Sequence, residues 1–297
     1  MNSPRRQLDD LGLAPAKARG QNFLRDARIA GQLADLVLAQ AKAQGPSEGA
    51  EPSANGSLGP EQEAGELREV LEIGPGLGAL TRPLLERGLR VTAVELDGGL
   101  AASLSSWPET ETGRLKVVHK NVLELNLKRD LPSLTPWLVF GNLPYNLSTP
   151  ILFWFMEQAE ADSVGLFMLQ KEMAQRLSAP SGGRDYGRLT IAVSLWHETS
   201  LLRRIPPSAF EPRPTVQSSF ICLKPKTNPP PSLLRDKVGR LTRAAFFARR
   251  KTIGNNLSHG YGKDKAALAL ETLKINPSAR PETLEPEVFL RLAELLE

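Results

Sequence analysis

One cysteine, three histidines and no long apolar run set the first limits on this chain of 297 residues. A lone Cys222 excludes an intrachain disulfide and a cysteine-rich zinc site. Inside Phe220-Ile221-Cys222-Leu223 it reads as a small buried hydrophobe rather than a nucleophile. His119, His197 and His259 are far apart and lack ligand spacing, so no metal site is expected. The most apolar stretch, residues 151–156, is far too short to span a bilayer. The opening Met-Asn-Ser-Pro-Arg-Arg has no apolar core of the kind a secretory signal needs. A soluble, cytoplasmic protein without a membrane partner is the expectation. Charge is equally reticent: 37 Lys+Arg against 33 Asp+Glu gives +4, which permits an anionic partner without requiring one.

What is present is ordinary globular material, 41% hydrophobic and 24% charged, long enough for one large α/β domain and a smaller appendage. Residues 1–26 are basic and read as a loop. Apolar positions Ile29, Leu33, Leu36 and Val37 predict a helix over 27–43. Residues 45–65 are rich in Gly, Pro, Ser, Ala and Glu, lack apolar periodicity, and read as a flexible surface insertion. Strands are expected at 69–74, 90–96, 115–119, 137–140 and 164–169, with helical material between them, including 80–87. That alternation predicts a parallel sheet covered on both faces. A helix at 186–196 and two late strands at 200–205 and 216–223 follow, the latter separated by a proline-rich turn. The run Pro225-Lys226-Thr227-Asn228-Pro229-Pro230-Pro231 reads as a linker. Beyond it, helical periodicity with Pro277, Pro281 and Pro286 at helix starts predicts a small helical domain. The expected division is therefore 1–226 and 227–297.

Three readings compete for Glu72-Ile73-Gly74-Pro75-Gly76-Leu77-Gly78, which closes the first of these strands. A phosphate-cradling P-loop fails, because Ala79-Leu80 stands where Lys-Ser/Thr is needed. A dinucleotide fingerprint accepts Gly74, Gly76 and Ala79. S-adenosylmethionine, whose amino-acid part carries an ammonium and no pyrophosphate, gives the acidic Glu72 a purpose. Glu95 ends the next strand, where a carboxylate accepts bonds from both ribose hydroxyls of an adenosine cofactor of either kind. Asp97 reads as structural.

Asn142-Leu143-Pro144-Tyr145, after the fourth strand, carries the chemical signal. An exocyclic adenine amine is a poor nucleophile because its lone pair is delocalised into the ring. An Asn side-chain carbonyl and a neighbouring backbone carbonyl can accept its two N–H groups and draw the nitrogen towards tetrahedral geometry. Pro144 fixes the turn and keeps Leu143 extended, so the Leu143 carbonyl can point into a pocket. Tyr145 offers a ring against which an extruded base stacks.

In family order over residues 20 to about 257, the chain resembles the KsgA family of ribosomal RNA adenine dimethyltransferases. The matching pieces begin with Gly20-Gln21-Asn22-Phe23-Leu24, the glycine loop, Val94-Glu95-Leu96-Asp97 and Gly141-Asn142-Leu143-Pro144-Tyr145-Asn146. Further on are Gln170-Lys171-Glu172-Met173-Ala174-Gln175-Arg176-Leu177 and Tyr186-Gly187-Arg188-Leu189. Pro207 through Val216 and Phe246-Phe247-Ala248-Arg249-Arg250-Lys251-Thr252 complete the match. The resemblance implies a Rossmann-like class I methyltransferase with a seven-stranded, mostly parallel sheet and a small C-terminal helical domain. It implies transfer of methyl groups from S-adenosylmethionine, leaving S-adenosylhomocysteine, to two adjacent adenosines near the 3′ end of 16S rRNA in the small ribosomal subunit. Cofactor contacts are then expected from Gln21, Asn22, Leu24, Glu72, Gly74, Gly76, Gly78, Glu95, Asn121 and Asn142. Catalysis is expected from Asn142, Leu143, Pro144 and Tyr145, with Phe210 as a second aromatic wall. The chain departs from the family pattern in the 45–65 insertion, in Asn121 where an Asp is usual, and in Gly254 where a basic residue is usual.

Arg249, Arg250 and Lys251 are expected on a helix, neutralising RNA phosphates. Arg5, Arg6, Lys17, Arg19 and Arg25 bias the N-terminal segment the same way. A monomer is expected. Two rivals remain at this stage: a large-subunit rRNA adenine methyltransferase of the antibiotic-resistance type, and a non-catalytic ribosome assembly factor on the same fold. An NAD oxidoreductase is more distant, since nothing supplies the acid/base partner of hydride transfer.

Overall fold

Apolar strands that read as continuous runs have to be covered on both faces, and this requirement organises the molecule. The computed structural model describes residues 3–13, 22–43, 69–132, 138–158 and 162–297. The 45–65 insertion, Lys17, Arg19 and Gln21 lie outside them. In chain order the first half comprises α1 (Pro4–Asp10), β1 (Phe23–Leu24), α2 (Ala27–Ala43), β2 (Glu69–Ile73), α3 (Thr81–Glu86), β3 (Arg90–Glu95), α4 (Gly98–Ser105), α5 (Pro108–Glu111), β4 (Leu115–His119), α6 (Leu127–Asp130) and β5 (Leu138–Asn142). There follow α7 (Ser148–Gln158), β6 (Val164–Gln170), α8 (Lys171–Leu177), α9 (Arg188–Trp196), β7 (His197–Ile205), β8 (Phe210–Glu211), β9 (Ser218–Pro225), α10 (Leu234–Ala245), α11 (Ile253–Tyr261), α12 (Lys263–Thr272) and α13 (Pro286–Leu296).

Seven of the described strands form one sheet in the order β4-β3-β2-β5-β6-β9-β7. The first five run parallel; β9 is antiparallel to both β6 and β7. The parallel sheet expected from the alternation is therefore present, in the seven-stranded, mostly parallel Rossmann-like form that the resemblance implies. On one face α2 lays Ile29, Leu33, Ala34 and Val37 over Val70, Val91, Phe140 and Leu166. On the other, α7 and α9 share a continuous apolar cluster with Leu241, Leu257, Phe289 and Leu292 of the C-terminal helices. Those helices are thus built onto the sheet's covering layer. The proline-rich segment before α10 is tied down as well, by the Trp196 indole N–H to the Pro230 carbonyl at 2.9 Å.

Three local expectations need correction. Residues 4–10, read as a loop, form a short helix: Ser3 caps it by accepting from the Arg6 N–H, Pro4 starts it, and Leu8 packs on Phe23 and Leu100. A single apolar anchor leaves no period to read. Pro286 starts α13 and Pro281 starts a 3-10 turn, but Pro277 opens no helix; its carbonyl accepts the Gly254 N–H at 3.0 Å. The Arg249–Lys251 cluster lies in the turn between α10 and α11, not on a helix.

Candidate functional site

From β2 the chain moves outward to β3 and β4, then returns to lay β5 against the other side of β2. Such a reversal opens a crevice beyond the carboxyl ends of the two central strands. Both motifs end there, since the glycine loop follows Ile73 and Asn142 closes β5. A cleft of about 680 Å³ is lined by Asn22, Glu72, Gly74, Glu95, Asn142 and Tyr145, among others. A second hollow of about 540 Å³ shares Gly74, Glu95 and Pro144 with it and extends to Asn121. β5 must approach β2 closely for this: a Cβ at Gly141 would stand 2.5 Å from the Ile73 carbonyl oxygen.

Two buried carboxylates flank the loop. Glu95 accepts from the Gly76 N–H at 3.0 Å and the Asp97 N–H at 2.9 Å, bonds that fold the loop over the end of β3. Burial nevertheless holds its pKa above the ordinary value. Glu72 is wholly enclosed; the Thr81 hydroxyl donates to it at 2.6 Å, while burial and then the neighbouring Glu95 push its pKa up to about 8. Gly74, Gly76 and Gly78 all have positive φ, the backbone region that L side chains avoid. Two carboxyl groups enclosed in this way suit a ligand that brings positive charge and hydroxyls. Asp97, read as structural, caps α4 by accepting from the Gly99 and Leu100 N–H groups.

The Asn142 amide donates its Nδ2 to the Asn22 carbonyl at 2.8 Å. That bond orients the side chain and leaves its carbonyl oxygen as the group offered to the cleft. Pro144's carbonyl is committed to the start of α7, accepting from the Leu147 N–H and the Ser148 hydroxyl. The Leu143 side chain is buried, and the residue lines the cleft beside Asn142. The Tyr145 hydroxyl sits 2.9 Å from Ser218 Oγ, which fixes the ring at the cleft wall; burial raises its pKa.

The structure thus brings together Asn22, Leu24, Glu72, Gly74, Gly76, Glu95, Asn142, Leu143, Pro144 and Tyr145, all lining the cleft. Gln21 lies outside the described residues. Gly78 is not a wall of this cleft: it packs beneath Trp107, whose ring would meet a Cβ there at 2.3 Å. Asn121 borders the second hollow, with Oδ1 already accepting from the Leu123 N–H at 3.1 Å and Nδ2 donating to Glu124. Phe210 is 2% exposed and packs beside Leu24, its partner in the two-residue ladder with β1, and is not among the residues lining this cleft.

Sequence reasoning passed over Thr81, Ser218 and Phe23. The phenyl ring of Phe23 lies 3.1 Å from where a Gly76 Cβ would stand, so it forms the wall opposite the loop. A hydroxyl in the first turn after the glycine loop was a usable signal for Thr81. Nothing local marked Ser218, which reaches Tyr145 from 73 positions away.

Comparisons with known proteins agree with this geometry. The family model for ribosomal RNA adenine dimethylase matches residues 16–297. Ribosomal RNA small subunit methyltransferase A of Legionella pneumophila (strain Lens) is 34% identical over 285 residues, 95% of this chain and 98% of its own. The protein of that name from Enterococcus faecalis (strain ATCC 700802 / V583) is 38% identical over 238 residues, 77% of this chain and 80% of its own. Among solved structures, a dimethyladenosine transferase from Plasmodium falciparum superposes with a TM-score of 0.57 at 28% identity, covering 75% of this chain and 88% of that one. The 23S rRNA methyltransferase ErmE superposes with a TM-score of 0.57 at 26% identity, covering 93% of this chain and 99% of that one. The order of the sheet, the acid-flanked glycine loop, the Asn142 turn and these matches lead to one assignment: the chain belongs to the ribosomal RNA adenine dimethylase family of methyltransferases.

Proposed function

We propose that this chain transfers methyl groups from S-adenosylmethionine to N6 of two adjacent adenosines near the 3′ end of small-subunit ribosomal RNA. The observation that carries the reading is the Asn142 amide, held by Asn22 at the junction of the glycine-loop cleft and the Tyr145 ring. Glu72 and Glu95 suit the ammonium and ribose hydroxyls of that cofactor, with Asn22, Leu24, Gly74 and Gly76 as further walls and Asn121 towards its adenine. When bound, the cofactor supplies an electrophilic methyl group on a sulfonium.

The residues of the chain supply geometry. For the first methyl group, the Asn142 side-chain carbonyl and the Leu143 backbone carbonyl accept the two N–H groups of the target amine, which turns its lone pair out of conjugation with the ring; for the second they hold the one N–H that remains, and the proton that the amine sheds after each transfer passes to water. Tyr145, anchored through Ser218, stacks on the extruded base. Holding the amine in line with the methyl group is the main catalytic gain. Pro144 keeps the Leu143 carbonyl in place.

Residues 1–226 form the catalytic unit in this reading, and residues 227–297 the helical unit that contacts RNA through the exposed Arg249, Arg250 and Lys251. The proposed setting is a cytoplasmic monomer acting on the small ribosomal subunit. Among the described residues no helix is long and apolar enough to cross a membrane. The likeness to ErmE keeps the large subunit in the test. Radiolabelled S-adenosylmethionine is incubated with the protein and naked RNA, small subunits or large subunits. Label is expected in small subunits; label confined to large subunits would favour the resistance-type activity, and none at all an assembly factor.

A further inference from the structure

Phe247 is 67% exposed, an unusual position for a phenyl ring in a well-packed helical layer. Its neighbour Phe246 does the packing, against Phe289 in the core cluster. Phe247 instead lies against the exposed His259 of α11, ring centroids 4.6 Å apart and planes 32° from parallel. Two and more residues on come Arg249, Arg250 and Lys251, all exposed.

The turn carrying these groups is held from several sides. Buried Asn256 donates to the Ala245 and Ala248 carbonyls and accepts from the Ala248 N–H. Arg280 donates to the Arg249 and Lys251 carbonyls, and Arg249 reaches the Arg184 carbonyl. A ring presented on a fixed turn loses little conformational entropy when something stacks on it.

Its location fits a nucleic-acid strand. The Asn142 turn leads into α7 at the carboxyl ends of the parallel strands, and α9 starts at that same end before running back to β7. α10 begins beside the far ends of both helices, where Arg235 meets the Met156 carbonyl and Trp196. It climbs to Ala245, so the 246–252 turn emerges beside the 178–187 loop, at the end of the sheet that holds the cleft.

We propose that the Phe247–His259 pair is a stacking platform for an unpaired RNA base, flanked by the Arg249–Lys251 cations that hold the adjoining phosphates. The platform rests on the RNA-methyltransferase reading above. Aromatic stacking accepts any base, whereas phosphate contacts set the salt dependence, so the two contributions separate experimentally.

The test measures binding of the full-length protein to two fluorescent RNAs, a fully paired duplex and a hairpin with an unpaired tail, across a salt series. Phe247→Ala is expected to weaken hairpin binding about tenfold, leave duplex binding unchanged and leave the salt slope unchanged. Phe247→Trp is expected to retain hairpin affinity, and 2-aminopurine in the tail to lose fluorescence on binding to wild type but not to Phe247→Ala. Wild-type hairpin affinity in Phe247→Ala overturns the platform, as does equal weakening on both RNAs or full rescue by the non-aromatic Phe247→Leu. Failure of the wild-type chain to bind either RNA removes the RNA reading itself and the platform with it.

Discussion

The Asn142 side chain donates to the backbone carbonyl of Asn22 across 120 positions of sequence, at 2.8 Å. This one bond joins the first recognisable motif of the chain to the end of the fourth parallel strand, and it decides which way the Asn142 carbonyl faces. Asn142→Ala is expected to lower kcat for methyl transfer by about 10²–10³-fold, the usual cost of removing one preorganised polar group at a reacting centre. RNA affinity should stay at the wild-type level, measured by anisotropy alongside single-turnover kinetics. Near-normal turnover would refute the hydrogen-bonding role.

Glu72 carries a pH prediction. Its pKa is pushed from 4.5 up to about 8 by burial, so without ligand the folded chain binds a proton there that the unfolded chain releases above pH 4.5. The protonated group therefore favours folding at low pH, and that contribution declines as pH rises from about 4.5 through about 8. A cationic ligand beside Glu72 favours the ionised form, so cofactor binding should release a proton near neutral pH. Calorimetry in buffers of different ionisation enthalpy reads that proton, and Glu72→Gln should abolish its release. Undiminished release in Glu72→Gln would assign the proton elsewhere.

Tyr145→Phe keeps the ring and removes the anchor to Ser218. A net hydrogen bond of this kind contributes about 1 kcal/mol, so a several-fold rise in KM with a smaller change in kcat is expected. Ser218→Ala should reproduce it. If Tyr145→Ala is no worse than Tyr145→Phe in steady-state kinetics, the ring does not stack on the base.

Replacing Arg250 and Lys251 together by Ala removes two exposed cations. The salt slope of RNA binding should fall by about 1.4–1.8, the value for two phosphate contacts on single-stranded or duplex nucleic acid. Cofactor affinity, from isothermal titration, should not move. An unaltered slope would detach this turn from the RNA.

Gly254 lies in the first turn of α11, its N–H donating to the Pro277 carbonyl at 3.0 Å. A Cβ there would meet the Pro277 carbonyl oxygen at 2.9 Å and the Pro277 Cβ at 3.0 Å. Gly254→Arg is accordingly expected to destabilise the fold by about 1–3 kcal/mol and lower Tm by several degrees. A raised Tm would show that the 276–280 turn yields without cost.

Much of this was legible in the chain because the signals were local. Hydrophobic runs marked the strands, glycines marked the loop after β2, and Glu95 and Asn142 stand at strand ends where position alone implies exposure to a crevice. The packing of Phe210 was out of reach, because it depends on a two-residue ladder with Phe23 and Leu24, nearly 190 positions away, which no period reveals. The basic cluster was assigned to a helix because Phe246 through Arg250 continues a good helical composition. α10 stops at Ala245 instead, where Asn256 takes up the Ala245 carbonyl. Gly78 shared the loop's composition but serves Trp107, a contact set by tertiary packing.

Transfer to adenosine N6 is tested most directly by mass spectrometry of the nucleosides and of the nuclease fragments of small-subunit RNA incubated with the protein and S-adenosylmethionine. N6,N6-dimethyladenosine is expected at two adjacent positions near the 3′ end, formed about 10²–10³-fold more slowly when Asn142→Ala replaces the wild type. Methylation at another atom or another base, or an unmodified 3′ end, would contradict it.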